Sequence, residues 1–328
     1  MSSFRRWYFY VVSAISLQAV TWAVIALLRN LLIPLFEPAN PAISPDAESI
    51  AFQISVILIG LPMFLLHWRW ASRSTEGNQL IPERFLYLYF MIGAFLVPLI
   101  ANANGFSQSL LRLLSGTPAV RPFFDETLPD GANLVYTAVA ILILVLMLFY
   151  HARLLKEARS SRVASTVTAP IHRFFIYIFC AAGLLISSVV AANLLQWLLL
   201  AAGDRAGLAI SRQLVDSIAA LIVGLPLWLF FWRRAQQLFR SGDTAEQASL
   251  LRKFYLYAVI FISDITTISA LTAILASLYR RLLELDPQSG SGVVLSALIT
   301  GAAVWAYHAL VLREDTLQVP MVEEQAGL

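Results

Sequence analysis

The sequence predicts an all-α integral membrane protein whose eight transmembrane helices form two parallel four-helix repeats. Three observations predict it. The 328-residue chain is 59% hydrophobic and only 13% charged, with a mean hydropathy of +0.73, more apolar surface than a water-soluble domain of this size can hide. The apolar residues gather into eight runs, each long enough to cross a hydrocarbon core of about 30 Å, which takes roughly 20 helical residues. Short motifs in the first half of the chain also recur in the second.

The runs are Trp7–Leu32, Ile50–Trp68, Phe85–Leu111, Ala132–Tyr150, Phe174–Leu200, Leu214–Trp232, Phe254–Leu283 and Val293–Leu312. The stretch Trp7–Leu28 is too long for the apolar region of a signal peptide and lacks a small-residue cleavage site, so it is expected to stay as the first span. Odd-numbered runs exceed even ones in length and are expected to tilt or protrude. Polar, turn-rich segments such as Glu37–Asp46 separate the runs. The longest connections, Arg112–Gly131 and His151–Arg173, are too short to form a catalytic domain.

Basic residues set the orientation. With the N-terminus inside, Arg29, Arg112, Arg121, Arg205, Arg212, Arg280 and Arg281 fall outside and the rest of the 23 Lys and Arg fall inside. That bias predicts a multi-pass protein of the bacterial inner (cytoplasmic) membrane with both termini cytoplasmic. It also accounts for the net charge of +3 through anionic lipid headgroups rather than nucleic acid. The single cysteine, Cys180, rules out an intrachain disulfide framework.

The repeat has two levels. Odd spans open on a basic residue followed by aromatics: Arg5-Arg-Trp-Tyr-Phe-Tyr10, Arg84-Phe-Leu-Tyr-Leu-Tyr-Phe90, Arg173-Phe-Phe-Ile-Tyr177 and Arg252-Lys-Phe-Tyr-Leu-Tyr257. Even spans end on His67-Trp68, Tyr150-His151, Phe231-Trp232 and Tyr307-His308. Above these hairpins, Gly60-Leu-Pro62 with Trp68-Arg69 returns as Gly224-Leu-Pro226 with Trp232-Arg233, and Tyr150-His-Ala152 returns as Tyr307-His-Ala309. The chain therefore divides into a first four-helix repeat at residues 1–163 and a second at 164–328. Four crossings is an even number, so both repeats enter from one side and a pseudo-twofold axis along the membrane normal is expected.

These openings and the Gly-Leu-Pro…Trp-Arg ends resemble a family of bacterial polytopic membrane proteins classed as a domain of unknown function, with members in green non-sulfur phototrophic bacteria. The resemblance covers nearly the whole chain. Tyr150-His151 and Tyr307-His308 depart from the Trp-Arg ending. The resemblance implies no activity, only a phototroph-linked context.

Few residues are equipped for chemistry. Aromatic belts anchor helices at the headgroup level, and between helices they also form walls for a flat or elongated apolar ligand. His67, His151, His172 and His308 all lie at inner span ends, and His151 and His308 are equivalent in the two repeats. A neutral imidazole there is either an interfacial group satisfied by water or lipid, or a ligand to a chlorophyll magnesium or haem iron. The candidate cofactor-binding set is His151, His308, His67, Trp68, Trp232, Tyr150 and Tyr307. Asp264, roughly 16 Å into the seventh span at 1.5 Å per residue, is an intramembrane carboxylate and so a functional candidate. Its simpler reading is a protonated group hydrogen-bonded within the bundle. Asn102, Asn104, Gln108, Asn193 and Gln196 read as interhelical hydrogen-bonding groups, and Gly183, Ser187 and Ala191 as a close-packing stripe.

No phosphate loop, zinc-protease motif, nucleophile elbow or Cys-x-x-Cys occurs. The expected function is accordingly non-enzymatic: a membrane scaffold for carotenoid or bacteriochlorophyll, or for lipids, with membrane lipids and other membrane-protein subunits as partners, in a larger complex that the resemblance links to photosynthesis. The alternative is a proton- or solute-translocating transporter using Asp264.

Overall fold

The computed structural model describes residues 3–36, 47–73, 82–117, 130–159, 162–203, 212–241, 247–285 and 291–318. The segment 37–46, expected to be turns, lies outside them. Eight helices fill the described residues: α1 (Ser3–Phe36), α2 (Ala47–Arg73), α3 (Pro82–Ser115), α4 (Asp130–Ala158), α5 (Arg162–Gly203), α6 (Arg212–Arg240), α7 (Leu250–Leu282) and α8 (Ser291–Gln318). All eight contain a stretch long and apolar enough to cross a membrane, and no strand occurs among the described residues. Odd helices are the longer ones, as expected: α1 and α3 have 34 residues and α5 has 42, against 27 for α2 and 29 for α4.

Helix ends differ from the apolar runs in a systematic way. The connection expected across His151–Arg173 is almost wholly helical, with α4 continuing to Ala158 and α5 starting at Arg162. The reason is local. Arg153-Leu-Leu-Lys-Glu-Ala158 consists of strong helix formers, and Arg153 pairs with Glu157 one turn on at 3.1 Å. Hydropathy marks where lipid contact stops, not where the backbone uncoils. Elsewhere the ends follow the macrodipole: Glu48, Glu83 and Asp130 stand in first turns, and Arg73, Arg112 and Arg240 in last turns. Helix α7 closes with Glu284 at φ 54°, while Glu284 N–H donates to the Arg281 carbonyl and Leu285 N–H to that of Arg280. This is a Schellman closure with glutamate where glycine is usual.

The chain forms two compact units, Met1–Phe175 and Ile176–Leu328. In the first, α1 packs on α2 and α3 on α4, and α1 also touches α3 and α4. The core of this unit gathers Tyr10, Leu17, Ile25, Phe64, Tyr87, Met91, Phe95 and Leu144. In the second, α7 packs on α8, and α5 meets α6 through the stacked rings of Phe179 and Phe231.

The repeated Gly-Leu-Pro motif sits where two helices run close together. A Cβ on Gly60 of α2 would stand 2.7 Å from Val20 Cγ2 on α1, and one on Gly224 of α6 would stand 2.5 Å from Ile186 Cγ2 on α5. Gly183, in the expected small-residue stripe, lies against the Trp228 backbone. Pro62 and Pro226 lie inside continuous helices.

Candidate functional site

Each unit holds one aromatic–histidine cluster, built from equivalent positions. In the first unit Tyr87 of α3 is the hub. Its ring lies 5.2 Å from Tyr10 of α1, 5.4 Å from Trp68 of α2 and 6.2 Å from His151 of α4. In the second unit Tyr255 of α7 takes that place, 5.4 Å from Tyr177 of α5, 5.7 Å from Trp232 of α6 and 5.9 Å from His308 of α8. Four helices thus contribute one ring each. Tyr150 and Tyr307 stand edge-on to the adjacent histidine at 5.1 Å in both units, with their outer sides exposed.

The histidines are set identically. Nδ1 of His151 lies 2.8 Å from the Met147 carbonyl and Nδ1 of His308 lies 2.9 Å from the Val304 carbonyl, each four residues back. A carbonyl only accepts, so Nδ1 carries the hydrogen and Nε2 presents its lone pair. Both Nε2 atoms are buried without a partner, and the residues are 0% and 1% exposed.

The surroundings then diverge. Tyr255 accepts a hydrogen bond from Cys180 Sγ at 3.3 Å, whereas the Tyr87 hydroxyl is buried without a partner. At the position equivalent to Cys180, Ser13 donates to its own helix, to the Phe9 carbonyl at 2.7 Å. Trp232 Nε1 donates to the Tyr307 hydroxyl at 2.6 Å. Phe95, 5.3 Å from His151, corresponds to Ser263, and Leu144 to Gly301. Those smaller residues bring α7 and α8 together: a Cβ on Gly301 would stand 3.0 Å from Thr267 Oγ1.

Of the expected site residues, the structure brings Trp68, Tyr150 and His151 together in one unit and Trp232, Tyr307 and His308 in the other. His67 lies apart, its ring beside Tyr8, Phe9 and Trp70 and its Nδ1 2.8 Å from the Met63 carbonyl. Its equivalent in the second unit is Phe231, so it is not part of the repeated arrangement. His172, the remaining histidine, meets the Tyr89 hydroxyl at 2.9 Å and accepts from Arg159 Nη1.

Asp264 makes no hydrogen bond or ion pair with any described residue. It lies half-buried at the border between the buried stripe Arg252–Leu256–Ser263–Ala270 and the exposed stripe Phe261–Ile268 of α7. The expected hydrogen bonding within the bundle is therefore not seen among the described residues.

Sequence reasoning missed the hub tyrosines. Tyr10, Tyr87, Tyr177 and Tyr255 sit in the basic-aromatic openings and read as headgroup anchors, yet all four are buried inside their units. The available signal was their fixed distance from the opening arginine in both repeats: Arg6 to Tyr10 matches Arg173 to Tyr177, and Arg84 to Tyr87 matches Arg252 to Tyr255.

The clusters can hold rings rigidly and offer one hydrogen-bond acceptor each. They do not fit axial ligation of a chlorin. A magnesium–nitrogen bond of about 2 Å would put the macrocycle where the Tyr, Trp and Phe rings now pack, since neither Nε2 reaches a surface. No group of three or more His, Cys, Asp or Glu among the described residues is placed to hold a metal ion.

No curated relative and no solved structure matches the chain. The model of one family, described as Domain of unknown function (DUF5671), matches residues 6–146 and again residues 173–311. Each match begins at an opening arginine region and takes in four spans. The chain therefore belongs to the DUF5671 family and carries its domain twice.

Proposed function

We propose that this protein is a non-enzymatic scaffold of the bacterial inner membrane, with both termini cytoplasmic. On this reading it holds lipids and a carotenoid-type apolar cofactor along its outward faces, as a subunit of a larger, photosynthesis-related complex. One observation carries the reading. The histidine Nε2 atoms of the two clusters are sealed inside their units, while large apolar side chains such as Phe52, Leu58, Phe149, Phe261 and Ile268 are exposed. Long apolar ligands gain dispersion and hydrophobic contact on such faces without any axial bond. The phototroph-linked resemblance selects carotenoid among them. Bacteriochlorophyll held by His151 or His308 is not proposed, because both Nε2 atoms are enclosed.

Two measurements test this. Protein purified in mild detergent from its native host is expected to show carotenoid absorption and to yield carotenoid on extraction. A colourless preparation free of extractable pigment overturns the cofactor assignment. His151→Leu and His308→Leu are expected to leave the absorption unchanged and to shift stability by less than about 1.5 kcal/mol, since a buried, half-satisfied ring is exchanged for an apolar side chain of similar volume. Loss of colour in either variant returns the histidines to a ligand role.

The transporter reading keeps one specific support, the unpaired position of Asp264 within its span. Reconstituted vesicles are expected to show no proton or solute flux that Asp264→Asn abolishes. A flux lost in that variant favours the transporter instead.

A further inference from the structure

The first unit also buries a cation that no acidic side chain among the described residues is seen to pair. Arg29 of α1 is 6% exposed and one turn inside the end of the Phe4–Leu32 span. Its Nε donates to the Tyr136 carbonyl at 2.9 Å and its Nη2 to Asn102 Oδ1 at 3.0 Å. The guanidinium carbon stands 3.0 Å from the centre of the Tyr136 ring. All of these partners are neutral. On the facing helix α4, Asp130 is engaged by Arg112 at 3.9 Å. A charge withdrawn from water in this way is unfavourable unless an opposite charge reaches it.

The duplication provides an internal control. Counting from the matched motifs, Arg29 corresponds to Gln196, Asn102 to Ala270 and Tyr136 to Val293. The second unit lacks the cation, the Asn102 amide and the Tyr136 ring together, while the backbone carbonyl that accepts from Nε is of a kind any residue supplies. A residue that merely snorkelled to the interface would not need Asn102 and Tyr136 to aim it. These three side chains behave as one set, and the set orients a guanidinium while leaving its charge unmet. Guanidinium is the side chain best suited to phosphate-type oxyanions, through paired N–H donors.

We propose that Arg29, oriented by Asn102 and Tyr136, is the anchor of a phosphate-type oxyanion site in the first unit. Two sources carry that chemistry. One is the headgroup phosphate of a lipid whose acyl chains lie along the unit, and the other is dissolved phosphate. Arg29 stands one turn inside the end of the apolar span, within side-chain reach of a headgroup phosphate drawn in at that end.

The full-length protein, delipidated in an uncharged maltoside detergent, tests this by intrinsic fluorescence melting. Titrations use phosphatidylglycerol, inorganic phosphate or diacylglycerol, which has the same tails and no phosphate. Wild type is expected to gain Tm saturably with phosphatidylglycerol and not with diacylglycerol. If inorganic phosphate alone saturates the gain, the source is the free anion. Arg29→Gln, the residue the second unit carries, is expected to weaken the response about tenfold or more. Arg29→Lys keeps the charge without the fork and is expected to fall between the two. Should Arg29→Gln fail to fold, Arg29→Lys and Asn102→Ala carry the test, each with a weakened response. An undiminished response in the variants that fold, or equal gains with diacylglycerol in wild type, overturns the site.

Discussion

Asp315→Ala will destabilise the second unit by about 3–5 kcal/mol, the cost typical of stranding one partner of a buried ion pair. Arg252 of α7 is 2% exposed and meets the Asp315 carboxylate of α8 through two N–H bonds, Nε to Oδ2 at 2.6 Å and Nη2 to Oδ1 at 2.9 Å. Nη2 also reaches Gln236 of α6 at 3.0 Å, and the guanidinium carbon lies 4.1 Å from the Phe239 ring centre. Arg252 Nη1 is already buried without a partner, and the other groups at the guanidinium, Gln236, Phe239 and the Tyr177 hydroxyl, are neutral, so none replaces the charge when the carboxylate goes. Removing both charges together is a different case. Arg252→Met with Asp315→Leu is expected to recover most of the loss, because no buried charge is left unpaired. Thermal unfolding of the single and double variants in detergent checks both statements. Equal melting of Asp315→Ala and wild type would falsify the buried-pair account. The same variant is expected to shift the fluorescence of Trp232, whose ring centre is 5.7 Å from the Arg252 guanidinium carbon.

That ion pair has no counterpart in the first unit, where Arg84 and Ala158 occupy the equivalent positions. The first unit instead joins Arg6 of α1 to Glu83 of α3 at 3.0 Å. The two repeats thus keep the aromatic hub and replace the clamp around it. One ties its first and third helices, the other its third and fourth. This division suits a duplicated scaffold. Ring packing at the hub tolerates little change in four faces at once, while a clamp needs only two complementary residues wherever helices run close.

The eight helices were legible because lipid imposes one rule on every span, namely about 20 apolar residues with all backbone groups bonded internally. The duplication was legible because Gly60-Leu-Pro62 and Gly224-Leu-Pro226 answer the same steric demand twice. The ends of α4 and α5 were not, since helix propensity continues past the apolar window into Arg153–Ala158. Half of the cluster was readable in His151 and His308. The tyrosine hub was hidden because an aromatic beside a basic residue reads the same whether it faces headgroups or the bundle. Arg29 was hidden for a related reason. Three residues from the end of its apolar run, it passes for a boundary arginine, and only the third dimension shows it turned inward to Asn102 and Tyr136. Periodicity gives no help in these spans, which are apolar all round.

Gly183→Ala is expected to be the most damaging of the alanine substitutions at Gly60, Gly183 and Gly224, at about 1–3 kcal/mol, and Gly183→Val to exceed it. The new Cβ would lie 2.5 Å from the Trp228 nitrogen and 2.8 Å from its Cα. Backbone inside a helix cannot turn aside, so α5 and α6 must separate. At Gly224 and Gly60 the nearest atoms are the side-chain methyls Ile186 Cγ2 and Val20 Cγ2, which are stiff about χ1 in a helix but still yield more readily than backbone. Alanine there is expected to cost less, with Gly60 the mildest because its contact is the longer one. The penalty at Gly183 should be felt in full. Helices in lipid gain little by burying apolar surface from each other and rely on close packing for their association. Trp232 lies one turn beyond Trp228 on α6, so a separated α5–α6 pair also loosens the Trp232–Tyr255–His308 cluster. Unfolding titrations in a denaturing detergent, with helical content followed by circular dichroism, will rank the three variants. The expected order from most to least damaging is Gly183→Ala, Gly224→Ala, Gly60→Ala, and a wild-type midpoint for Gly183→Ala would show that α5 and α6 do not pack at this distance.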